Sequence, residues 1–288
     1  MQRLSIVIAA LATLVGTSAL AADMAVKAPP PPVPAYTWTG FYVGGNAGYG
    51  WHDPTVSVTP NDIVSSATTC GGAFGGTCIP PTSFDIHGAL GGVQAGYNWQ
   101  INQNWLLGLE TDFDWSNIKG TGTSNFSLLG SPSSFQASEN IKWFGTVRGR
   151  VGFLPWNNLL VYGTGGFAYG RVDAQAAINS PVLESADFIT GNSYSCTSPG
   201  GAGATNCFLG NSSRTATGFA VGAGGEYMLW NNISVKGEYL YVDLGHGNTT
   251  NVAAQATVPG APIPSSFTAS YSRVDFNVVR AGLNWKLN

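Results

Sequence analysis

From residue 40 onward, apolar and polar positions alternate with a period of two, the mark of strands whose two faces meet different surroundings. Between residues 105 and 115, Trp105, Leu107, Leu109, Thr111, Phe113 and Trp115 share one face, while Leu106, Gly108, Glu110, Asp112 and Asp114 share the other. Residues 143–153 repeat the design, with Trp143, Val147, Val151 and Phe153 on one side and Arg148 and Arg150 on the other. The same alternation sets Phe41, Val43, Tyr49 and Trp51 against Tyr42 and Asn46, and Val93, Tyr97 and Trp99 against Gln94 and Asn98. In the second half Leu159, Val161, Phe167 and Tyr169 are in phase, and Phe219, Val221, Tyr227 and Leu229 oppose Glu226. Ile233, Val235, Tyr239 and Tyr241 oppose Lys236 and Glu238, and Val279, Leu283, Trp285 and Leu287 oppose Arg280 and Asn284. Eight amphipathic strands are predicted.

Three of the apolar faces are bounded by aromatics ten positions apart: Phe41 to Trp51, Trp105 to Trp115 and Trp143 to Phe153. A tilted strand crosses a bilayer in about 9–11 residues, and lipid-facing strands carry aromatics at both interfaces. The connections alternate in length. Short turns follow the second, fourth and sixth strands (100–103, 155–158 and 230–232), and long segments lie at about 52–84, 118–139, 174–213 and 247–272. Short turns at one end and long loops at the other predict an all-β, eight-stranded antiparallel transmembrane up-and-down β-barrel with periplasmic turns and four long outer loops. In the last strand the phase breaks at Val278 and Val279, so a bulge is expected there, or an upper half that projects beyond the lipid.

Composition sharpens the picture. Charged residues make up only 9% of the 288, glycine occurs 39 times, and aromatics reach 12% with nine tryptophans. A net charge of −3 without clustered Lys and Arg argues against nucleic acid as a partner. The one long apolar run, residues 4–20, follows Arg3 and ends in Ala19, Leu20 and Ala21, the form of a secretory signal peptide removed after Ala21. Residues 22–39 hold the proline run 29–32 and Pro34, an extended periplasmic segment ahead of a barrel domain at 40–288. Export permits disulfides, and the near pairs Cys70 with Cys78 and Cys196 with Cys207 are the favoured connectivity, each inside a long loop.

The opening segment, Ala28 and the prolines that follow it, then residues 38–51 (WTGFYVGGNAGYGW), closely resembles the alphaproteobacterial outer-membrane β-barrel family of outer membrane immunogenic and porin-family proteins. The resemblance implies an OmpA-like eight-stranded barrel in the cell outer membrane, exposed at the surface and inserted by the barrel-assembly machinery. It also implies a C-terminal assembly signal at Arg280, Gly282, Trp285 and Leu287, from which the terminal Asn288 departs, since relatives stop on an aromatic or apolar residue.

The polar phase of the strands places Glu110, Asp112, Asp114, Arg148, Arg150, Glu226, Lys236, Glu238 and Arg280 inside the barrel. An eight-stranded barrel is just wide enough for its side chains to fill, so these charges are expected to pair into a network that plugs the lumen. The alternative is that they line a narrow pore for small solutes. His52, His87 and His246 lie near the outer rim or in loops, and no G-x-S-x-G or H-E-x-x-H motif accompanies them, so no enzyme activity and no cofactor or metal is expected. The expected partners are outer-membrane lipid and the assembly machinery, and the expected role is structural and surface-exposed, antigenic or adhesive. The sequence does not set an oligomeric state.

Overall fold

A computed structural model of the protein describes residues 37–61, 79–128, 131–179, 206–254 and 266–287. The expected signal peptide, the proline run, Cys70, Cys78 and Cys196 lie outside these residues, and only the backbone of Cys207 is described. Twelve strands follow one another: β1 (Gly40–His52), β2 (Thr55–Pro60), β3 (Thr82–Ser83), β4 (Ile86–Gln100), β5 (Trp105–Leu128) and β6 (Ser131–Trp156). The second half supplies β7 (Leu159–Asn179), β8 (Asn206–Trp230), β9 (Ile233–Asp243), β10 (Thr249–Ala254), β11 (Ser266–Tyr271) and β12 (Asp275–Lys286).

Eight of them, in the order β1, β4, β5, β6, β7, β8, β9 and β12, close an antiparallel ring through the β8–β9 and β1–β12 pairings. These are the eight strands that the alternation predicts, and they join through the short turns expected at one end. Closure leaves no free edge, so the ring satisfies its backbone groups internally, as lipid requires. The outward phase is apolar and exposed: Trp105, Leu109, Trp115, Val151, Leu283 and Trp285 are each between 49% and 59% accessible. Two aromatic girdles appear, with Trp105 against Phe153 at one rim and Phe113 stacked on Trp143 toward the other.

Among the described residues, the long outer connections are largely strand. β5 to β8 run 24, 26, 21 and 25 residues, about twice what the bilayer needs, and continue straight out of it. Beside them stand β10, β11, β2 and β3, and they are paired in the order β8–β10–β11–β2–β3. This repeats the lower order β8–β9–β12–β1–β4, one strand for one strand. The barrel therefore has a second, outer tier, whose four short strands continue β9, β12, β1 and β4 across brief breaks. One break is Asp53 and Pro54; proline supplies no donor there, and its carbonyl accepts from the Phe84 N–H at 3.2 Å. The tier completes its circuit where Phe84 packs on the bare backbone of Gly122, leaving no room for a Cβ. At the same level β5 takes in an extra residue between Trp115 and Ile118, opposite the Lys142 region of β6. The bulge at Val278 and Val279 does not form. β12 pairs regularly with β9 and β1, and its inward phase runs Phe276, Val278, Arg280, Gly282 and Asn284. Val278 is apolar because it points into the apolar interior of the outer half.

Candidate functional site: the filled interior

All nine charged residues placed inside the barrel by their phase are inside it, each 4% accessible or less. They come from β5 (Glu110, Asp112, Asp114), β6 (Arg148, Arg150), β8 (Glu226), β9 (Lys236, Glu238) and β12 (Arg280). Cross-strand register sets neighbours of opposite sign side by side: Glu110 by Arg148, Glu226 by Lys236 and Glu238 by Arg280. Such pairs hold adjacent strands in register.

Further bonds cross the lumen. Arg148 donates through Nη2 to Glu110 (2.8 Å) and Asp112 (2.7 Å), and through Nη1 to Glu238 on the far wall (2.9 Å). Arg280 donates to Asp114 and Asp112, both at 2.8 Å, and reaches Glu238 at 2.7 Å. Lys236 Nζ lies 2.9 and 3.0 Å from the two Glu110 oxygens. Arg150 binds Glu226 at 2.8 Å and the Tyr42 hydroxyl at 2.8 Å, and Tyr42 passes the chain on to Glu110 at 2.7 Å. The network holds five carboxylates against four cations, and neutral donors add further bonds to the carboxylates. Thr146 donates to Asp112 at 2.8 Å, Asn284 to Glu226 at 2.8 Å, and Ser234 also to Glu226.

The sequence reading did not single out these neutral partners, although Tyr42, Gln94 and Asn284 occupy inward positions. It also missed the two tyrosines that clasp Arg150, whose guanidinium lies 3.9 Å from the Tyr162 ring centre and 5.8 Å from that of Tyr42. Both rings lie over glycines. A Cβ on Gly96 would stand 2.4 Å from the Tyr42 hydroxyl, and one on Gly224 2.6 Å from that of Tyr162. Glycine at these positions is a packing requirement, because each ring takes the space of a side chain.

Apolar layers lie on both sides of the network. Toward the periplasm, Leu106, Leu154 and Leu160 face inward and are buried, at 0%, 2% and 0% accessible. Trp38 is buried with them. Its backbone N–H donates to Gln100 at the end of β4, and its indole N–H donates to the Asn157 carbonyl in the β6–β7 turn, both at 3.0 Å. The residues just before β1 thus tie two of the periplasmic turns together. Outward of the network, Ile118, Phe144, Leu240, Phe276 and Val278 begin an apolar core, which continues through Phe135, Val172, Phe208, Val252 and Phe267 in the outer tier. Phe144 packs edge-on to Phe276 at 5.1 Å, and Phe208 to Phe267 at 5.4 Å. Fully burying each such ring contributes roughly 1.5–3 kcal/mol.

The histidines do not assemble. His52 is buried at the end of β1, His87 points outward on β4 and stacks on Tyr49 at 6.1 Å, and His246 is exposed after β9. The residues of the expected assembly signal alternate along β12 and the residue that follows it, with Arg280 and Gly282 inward and Trp285 and Leu287 outward, the last two 57% and 46% accessible.

Comparison with known proteins agrees with this architecture. Residues 7–286 match the outer membrane protein beta-barrel domain family. The 31 kDa outer-membrane immunogenic protein of Brucella melitensis is 35% identical over 292 residues, covering 98% of this chain and 99% of that one. A 22 kDa outer membrane protein of Rhizobium leguminosarum is 29% identical over 215 residues, 74% of this chain and 67% of that protein. Among solved structures, the attachment invasion locus protein Ail of Yersinia pestis matches over 86% of this chain and 99% of its own, at 12% identity and a TM-score of 0.30. An eight-stranded ring with an apolar exterior, aromatic girdles and full-length similarity to outer-membrane proteins leads to one conclusion: the chain belongs to the outer membrane protein β-barrel domain family and resides in the cell outer membrane.

Proposed function

We propose that the protein is a closed, non-conducting barrel whose work is structural: it anchors a stiff β-walled tier above the membrane and presents that tier at the cell surface. The observation that carries this reading is the filled interior. An apolar layer, a cross-lumen ion network and a second apolar core follow one another along the axis, and the network residues and the core side chains beyond them are almost completely buried. A hydrated pore would expose its charges to water, whereas here each guanidinium is spent on carboxylates. Buried ion pairs of this kind add little net stability over apolar packing, but losing one partner is costly, so they specify one register and one closed state. The outer wall carries Ser, Thr, Asn and Gln outward, a surface suited to antigenic or adhesive contact. No catalytic role is assigned, because the three histidines stand apart and each has a packing or surface explanation. Outer-membrane lipid around the girdles and the assembly machinery acting on the β12 signal are the partners this reading requires.

Solute flux tests it. Liposomes containing the refolded protein should swell in small sugars or amino acids no faster than empty ones. Swelling that scales with protein content and solute size would replace this reading with that of a narrow porin.

A further inference from the structure

The belt where the two tiers meet is electrostatically lopsided. On the β5–β7 arc, Lys119, Lys142 and Arg171 project outward just beyond the outer aromatic girdle, and Lys142 and Arg171 are each 49% accessible. Two carboxylates accompany them among the described residues: Asp173, 3.5 Å from Arg171, 3.9 Å from Lys142 and itself held by Ser213, and Asp85, whose backbone lies against Gly120 beside Lys119. On the opposite arc Arg273 is paired with Asp243 at 2.6 Å with Asp275 nearby, and Asp53 stands in the β1–β2 break. Three cations stand with two carboxylates on the first arc, and one cation stands with three carboxylates on the second, so the first is cationic in balance and the second acidic.

The surfaces above and below the cations differ from the rest of the barrel too. Below them five rings form an unbroken chain on the lipid face, Trp115–Phe113–Trp143–Tyr169–Phe167, with centroids 5.1, 5.4, 6.2 and 6.1 Å apart. Above them a polar trough on the outer wall is lined by Ser138, Asn140, Asp173, Gln175, Asn211 and Ser213. Apolar rings, then cations, then hydroxyls and amides follow one another outward along the same strands. A lipid with acyl chains, a phosphorylated headgroup and sugar hydroxyls has that order of chemistry along the membrane normal. Its phosphate would meet cations at headgroup depth, where each Lys or Arg strengthens attraction to an anionic leaflet.

We infer that the β5–β7 face is a binding site for a phosphorylated glycolipid of the outer leaflet, with Lys119, Lys142 and Arg171 holding the phosphate, the ring chain seating an acyl tail and the trough receiving the sugar. The site rests on the outer-membrane location and not on whether the lumen conducts.

The test is native mass spectrometry of the refolded protein in detergent, titrated with bisphosphorylated lipid A, with the same lipid after phosphate removal, and with its soluble deacylated headgroup. Saturable retention of one bisphosphorylated lipid is expected, weakening with salt and falling roughly tenfold or more in Lys142→Gln/Arg171→Gln. Lys119→Gln alone should lose about threefold, and it keeps the test open if the double variant fails to fold. Arg273→Gln, on the acidic arc, should bind as the parent does. Equal retention of the dephosphorylated lipid, or unchanged affinity in the folded double and Lys119→Gln variants, would overturn the site. Equally tight binding of the deacylated headgroup would overturn its assignment to a membrane lipid.

Discussion

The two tiers share a wall and invert its chemistry. In the lower tier the outward phase is Trp, Leu, Val and Phe and the inward phase is Glu, Asp, Arg and Lys. In the outer tier the inward phase is Phe135, Ala137, Val172 and Ile178, and the outward phase is Lys119, Thr121, Gln136 and Gln175. The period of two never changes. What changes is the solvent: lipid outside the lower tier, water outside the upper one. A strand passing from one to the other must exchange the meaning of its two faces, and the breaks and bulges cluster where that happens.

Removing a charge from the network should have the largest effect. Arg148→Ala leaves Glu110, Asp112 and Glu238 short of a cation in the interior, at a cost of about 3–5 kcal/mol. The variant should lose its heat-modifiable gel mobility at a much lower temperature than the parent, or fail to refold. Phe276→Ala is the matching change in the outer core, costing about 3–5 kcal/mol. Its damage should be confined above the girdle, so limited proteolysis should cut the outer tier while the membrane ring stays intact. If both variants failed identically, the tiers would be a single cooperative unit.

Glu139 sharpens the contrast, because it is the acid that the apolar outer core tolerates poorly. It is 1% accessible on the inner face of β6, and neither carboxyl oxygen has a hydrogen-bond partner. Burial pushes its pKa up from 4.5 to about 7, and the nearby Arg214 offsets this only partly. Below pH 4.5 the carboxyl is neutral in both folded and unfolded chains. Between 4.5 and 7 the unfolded chain gives up the proton while the folded one keeps it, so stability falls as pH rises. Above pH 7 the full penalty, about 3 kcal/mol, is present. Glu139→Gln should therefore stabilise the outer tier at pH 8 and change little at pH 4, read as slower hydrogen exchange in the outer half of β6. A flat pH response in the parent would remove Glu139 from this role. The smallest effect expected is that of Gly224→Ala, whose added methyl crowds Tyr162 off Arg150 at a cost of about 1–3 kcal/mol, seen as a lower unfolding temperature.

The same inversion explains what could be read from the sequence. The lower tier was legible because its alternation sets the most apolar residues against the most polar, as at Leu109 and Glu110. All nine interior charges followed from phase alone. The outer tier was not, because its outward residues are Ser, Thr, Asn and Gln and its inward ones include Ala137, Ala174 and Ala176, a contrast too weak to separate from loop composition. The phase break at Val278 and Val279 left two expectations, a bulge or an upper half beyond the lipid; the register is regular, and one valine faces lipid while the other faces the core of the outer half. Trp38 and the neutral members of the network became visible only with the wall in place, since their partners, such as Asn157 for Trp38, are 119 residues away in the chain.

Single-channel recording of the refolded protein in a planar bilayer tests the closed interior most directly. The parent should be electrically silent while folded, and leak should appear only when the network is broken, as in Arg148→Ala. Steady, reproducible openings from the parent would contradict a lumen sealed by its own side chains and make the nine interior charges the lining of a pore.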